Sequence, residues 1–148
     1  CDCDFLWKIP SHEFEKYCDP SKAVVVVQHD YAPKETTKMD GQVQTSYPRK
    51  NWSSMVLGNC EHPKNKILTP ELLNEESPKF LHRFSWLEDN EIGSMPAEYN
   101  WLVGWYKEPR DGTPKILHYT EGGPWFDGYR DCAYADDWKK ELINLFSS

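Results

Sequence analysis

The chain is predicted to fold as an α/β domain, and three observations predict it. Ala23-Val24-Val25-Val26-Val27 is an apolar run without alternation, the pattern of a strand covered on both faces in the middle of a sheet. Thr69-Pro70-Glu71 places Thr at an N-cap, Pro at the first helical position and an acid in the first turn, a strong helix start. Lys115-Ile116-Leu117-His118-Tyr119 reads as a further short strand, followed by a closing helix from Asp136 to Phe146 with apolar residues at Trp138, Leu142 and Leu145. At 148 residues, one domain spanning 1–148 is the expectation.

The other elements follow in order. Asp2-Cys3-Asp4-Phe5-Leu6-Trp7 reads as two acids at the end of a strand, with no initiator Met before it, so the sequence is expected to be part of a longer protein. Ser11 to Tyr17 is a short helix with Ser11 as N-cap, closed by Asp19-Pro20. Gln28-His29-Asp30-Tyr31 then lies at the carboxyl end of the valine strand. Pro33 to Gly41 is a loop carrying Lys34, Lys38 and an Asp40-Gly41 turn signal. The polar, basic stretch from Tyr47 to Ser54 leads into a core strand at 55–60. Ser77 to Asp89 spaces Phe80, Leu81, Phe84 and Leu87 as one helix. A loop at 95–100 precedes an aromatic strand at 101–105, and Pro109 to Pro114 is a turn. No internal repeat is visible.

Composition narrows the function. Seventeen basic residues against 24 acidic give a net charge of −7, which argues against nucleic acid and against an anionic membrane surface. No stretch approaches the ~20 apolar residues of a membrane span. Five cysteines at irregular spacing suggest reduced thiols and a cytoplasmic protein rather than a disulfide framework. Cys1, Cys3, Cys60 and His62 form a weaker, zinc-binding alternative, because structural zinc sites usually show C-x2-C pairs. Seven Trp and eight Tyr are mostly core material, with a sugar-stacking surface as the sharper reading.

The chemistry concentrates in His118-Tyr119-Thr120-Glu121-Gly122-Gly123-Pro124-Trp125, with Asp2-Cys3-Asp4 as its counterpart. Two carboxylates and one distant imidazole can hold a hard divalent ion such as Mn²⁺ or Mg²⁺, and the ion can hold a diphosphate. Adjacent glycines let backbone N–H groups come close to such an anion.

Asp2-Cys3-Asp4, then 51–57, then Met95-Pro96-Ala97-Glu98-Tyr99-Asn100, then His118 to Trp125 resembles the order found in GT-A fold glycosyltransferases. The likeness is to the glycogenin and bacterial lipopolysaccharide galactosyltransferase group, and to the second half of its fold. The resemblance implies a mixed sheet flanked by helices, without the N-terminal nucleotide-binding half. It implies Asp2, Asp4 and His118 as metal ligands, and Asn51, Ser53, Gly122, Gly123 and Trp125 as contacts to a nucleotide sugar such as a UDP-hexose. The implied reaction is retaining transfer of a hexose to a hydroxyl acceptor, usually a carbohydrate. Two positions depart from the pattern. Gly123 stands where the group has a phosphate-binding Lys, leaving Lys34, Lys38, Arg49 or Lys50 as substitutes. Phe80 to Trp86 replaces an Asp-Gln pair, leaving Glu88, Asp89 and Asp40 as candidates for acceptor contacts. A half-fold would expose a sheet edge, so a homo-oligomer is expected. The alternative function is a non-catalytic module that binds carbohydrate or a partner through its aromatic surface.

Overall fold

The computed structural model describes residues 1–30, 48–108, 110 and 112–147. The expected features at Tyr31, Pro33 to Gly41 (with Lys34, Lys38 and Asp40), Tyr47, Pro109 and Asp111 lie outside the described residues. Among the described residues the chain is a small mixed α/β protein with two three-stranded sheets, where the sequence predicts one. In the first, β1 (Phe5–Trp7), β6 (Ile116–His118) and β5 (Trp101–Leu102) lie in the order β1-β6-β5, antiparallel then parallel. In the second, β3 (Val56–Gly58), β2 (Val24–Val26) and β4 (Ile92–Ser94) lie in the order β3-β2-β4, again antiparallel then parallel.

The valine run does what its pattern requires. Val25 and Val27 enter one cluster with Phe14, Met55, Met95, Tyr99 and Ile116, which joins the two sheets. Ala23, Val24 and Val26 point the other way, against Phe84, Leu87 and Ile92. With both faces covered, neither set of alternate positions can be polar. A third cluster, Trp101, Val103, Leu117 and Tyr119, is closed by Trp138 from helix α3 (Ala135–Ser147).

Several expected elements change. The segment Ser11–Tyr17 is a 3-10 helix capped by Pro10, without a side-chain cap from Ser11. The strand expected at 55–60 is an edge strand, with Val56 and Gly58 exposed. Helix α1 (Pro70–Glu75) begins as the sequence dictates, with Thr69 Oγ1 accepting from Leu72 N. The helix expected from Ser77 to Asp89 contracts to α2 (Pro78–His82). Phe84 takes φ 51° and breaks the helical path. Arg49 captures the chain there: its guanidinium donates to the carbonyls of Arg83, Phe84 and Leu87 and pairs with Asp89. That fork replaces the intrahelical bonds the missing turns would have made. No helix among the described residues is long and apolar enough to cross a membrane.

Candidate metal centre

His118 ends β6 and is fixed from every side. Phe5 is its antiparallel partner on β1, and Leu102 its parallel partner on β5. The Phe5 ring stacks on the imidazole at 4.2 Å and 20°. Val103 N donates to the His118 carbonyl at 2.9 Å, and Tyr119 N to the Asp4 carbonyl at 3.0 Å. The strand register therefore carries Asp4, just before β1, to the imidazole: His118 Nε2 lies 3.5 Å from Asp4 Oδ2. Asp2 is brought to the same place by its N–H, which donates to the Ser54 carbonyl at 2.8 Å.

One ligand atom each from Asp2, Asp4 and His118 lie within 4.8 Å of one another. This is the trio the sequence singled out, and among the described residues it is the one such group of His, Cys, Asp or Glu. Cys1, Cys3, Cys60 and His62 do not come together as a zinc site, and all five cysteines are free thiols. The imidazole is 2% exposed, whereas Asp2 sits at the rim. Asp2 is held above the usual carboxylate range, mainly by desolvation; His118 opposes that shift and the charge of Asp4 adds to it.

Other sequence-selected residues divide. Asn51 adopts the left-handed conformation, φ 63°, at the start of the 3-10 turn Trp52–Ser54, and its Nδ2 lies 3.5 Å from Thr120 Oγ1. It therefore ties this turn to the residues just after His118. The Ser53 hydroxyl lies 2.8 Å from His82 Nδ1. Gly122 takes φ 140° and donates its N–H to the Tyr119 carbonyl at 2.9 Å, which leaves Gly123 as the glycine whose N–H is not used in that turn. Trp125 is 42% exposed, beside Phe126, and its indole lies over Gly123. Arg49 is committed to the carbonyls of 83, 84 and 87. Lys50 is buried next to Asn51. Asp89 pairs with Arg49, and Glu88 N is capped by Glu91 Oε2 at 2.9 Å.

The close approach at Gly123 yields a direct test. A Cβ there would overlap the six-membered ring of Trp125. Gly123→Ala is expected to push the indole off the Tyr119 and Trp138 rings and to cost about 1–3 kcal/mol. Urea denaturation with Trp fluorescence reads this; an unchanged midpoint and emission spectrum would refute the contact.

Asn100, Ser54 and His29 were not assigned roles from the sequence. Asn100 is fully buried, with Oδ1 2.9 Å from His118 Nδ1 and Nδ2 2.8 Å from Ser54 Oγ. His29, just past β2, is 6% exposed, with Nδ1 2.8 Å from Tyr106 Oη; its Nε2 is buried without a hydrogen-bond partner among the described residues. Burial, with a smaller contribution from His118, lowers its pKa to about 3. Between that value and about 6.5 the unfolded imidazole binds a proton that the folded one refuses. Stability is therefore expected to fall as pH drops through this window, by up to about 1.4 kcal/mol per pH unit, and to level off below it. Denaturation of wild type and His29→Gln at pH 7, 5 and 4 measures the difference; equal pH slopes would refute it.

No protein-family model matches the chain, and no solved structure matches it. The chain is similar to Protein CDI of Arabidopsis thaliana, 58% identical over 144 residues that cover 95% of this chain and 56% of that protein. It thus spans a little over half the length of this curated relative.

Proposed function

We propose that the chain is a GT-A-like glycosyltransferase domain that holds a divalent cation at Asp2, Asp4 and His118 and, through it, the diphosphate of a nucleotide sugar. The observation that carries this reading is the convergence of two carboxylates and one imidazole within 4.8 Å, from segments more than a hundred residues apart. Two carboxylates at that range repel each other, and a cation turns the repulsion into attraction. A mixed oxygen and nitrogen donor set suits Mn²⁺, and Mg²⁺ less well. When bound, such a cation stabilises the charge of a departing diphosphate.

The chain's own residues supply placement. Asn51 and Thr120 close the side of the site next to His118, and Gly123 offers a backbone N–H on the loop leaving it. The exposed Trp125 and Phe126 rings, 5.9 Å apart, flank that loop and suit the apolar face of a hexose. The same pair favours a second reading, a carbohydrate-binding module without transfer activity.

Calorimetry of the chain with UDP, with and without Mn²⁺, tests the proposal. Binding that needs the metal is expected. Absence of metal-dependent UDP binding refutes it, and glycan binding that persists in that case supports the second reading.

A further inference from the structure

We propose that Asn100 and Ser54 act as a tautomer lock, holding the His118 proton on Nδ1 so that the Nε2 lone pair faces Asp4. The consequence for metal binding rests on the cation site proposed above; the lock itself does not.

The polarity of the chain of hydrogen bonds is set at its far end. Ser54 Oγ lies 2.6 Å from the Asn51 carbonyl, which has no proton to give. The single Ser54 proton must go there. Ser54 Oγ is then an acceptor toward Asn100, 2.8 Å away, so the Asn100 atom facing it must be the NH₂ group. The amide is thereby oriented, and its oxygen faces His118 Nδ1 at 2.9 Å. A flipped amide would set oxygen against a hydroxyl with no proton left. An acceptor opposite Nδ1 requires the ring proton to be on Nδ1.

In the neutral ring, what remains at Nε2 is a lone pair, 3.5 Å from the Asp4 carboxylate. Two acceptors facing each other are held together by an electrophile, either a second ring proton or a metal cation. Water cannot substitute for the lock, because Asn100 is 0% and His118 2% exposed. Phe5, stacked on the ring, holds its plane while Asn100 fixes its proton. The instruction begins in backbone geometry: the left-handed conformation of Asn51 sets the direction of the carbonyl to which Ser54 donates. Asn100 bonds His118 on its Nδ1 side and Ser54 bonds Asn100, so both are positioning residues acting through His118.

Long-range ¹H–¹⁵N NMR of the metal-free protein at pH 8 reads the tautomer, and water-proton relaxation reads Mn²⁺ binding. Wild-type His118 is expected in the Nδ1–H form. Asn100→Leu is expected to shift it toward Nε2–H and to weaken Mn²⁺ binding about 10–100-fold. Ser54→Ala, which frees the amide to flip, is expected to do both to a smaller degree. An Nε2–H tautomer in wild type overturns the lock even if neither variant folds. So does an Asn100→Leu protein that keeps both the Nδ1–H form and wild-type affinity. An Nδ1–H wild type that ignores Mn²⁺ supports the lock and refutes the cation site.

Discussion

His118→Ala is expected to abolish Mn²⁺-dependent UDP binding. The imidazole is the one buried ligand of the three, and β1 and β5 hold it in register from both sides. Changing groups behind a ligand alone costs about 10–100-fold in metal affinity, so removing the ligand is expected to cost more than ~100-fold. Asp4→Asn keeps size and shape while removing one charge, and a comparable loss is expected. Asp2→Asn is expected to lose less, because Asp2 sits at the rim where water can take its place. The ordering His118 and Asp4 above Asp2, measured by calorimetry with Mn²⁺ and UDP, is the discriminating result. Equal, small losses at all three would mean that the metal binds elsewhere. Mg²⁺ is expected to replace Mn²⁺ poorly, since it favours oxygen ligands over the imidazole.

The second large effect concerns stability. Arg49→Ala is expected to cost about 2–4 kcal/mol, with most of the loss from the three carbonyls of Arg83, Phe84 and Leu87. The Asp89 partner contributes little, since its side chain is 90% exposed. Those carbonyls belong to the turn that packs Phe84 and Leu87 under β2, so loosening it opens the second core cluster. Arg49→Lys is expected to recover only a small part of the loss, because a single ammonium cannot fork across several acceptors. Urea denaturation measures all three proteins; a cost below about 0.5 kcal/mol for the Ala variant would refute the capping role. The residue also illustrates how a basic side chain in the right stretch of sequence can be structural. Arg49 was a candidate for holding phosphate, and its guanidinium instead closes a chain turn.

Legibility of the candidate site followed the range of the interactions. Asp2, Asp4 and His118 could be named because each bears unmistakable ligand chemistry, and a resemblance set them in order. Ser54 and Asn100 could not be assigned roles, although both lie in stretches already under suspicion. Their function comes from a hydrogen bond between residues 46 apart, and nothing local announces it. Ser53 and Ser54 are neighbours in sequence, yet the first hydroxyl meets His82 and the second Asn100.

By itself the sequence determined the features that local physics controls. An unbroken valine run must be covered on both faces, and here it supplies the central strand of a sheet. Thr69-Pro70 must start a helix, since its cap and fixed φ act within four residues. The apolar period at the end of the chain must give a helix that buries one face, and Trp138 joins the third cluster. Tertiary structure alone decided that the strands divide into two sheets, that the helix after Ser77 stops at His82, and that the side chains of Asp2, Asp4 and His118 meet. Each of these depends on which distant segment a strand or carbonyl finds as its partner. The free energy of such a contact resides in the pair and not in either residue, so neither stretch of sequence discloses it alone.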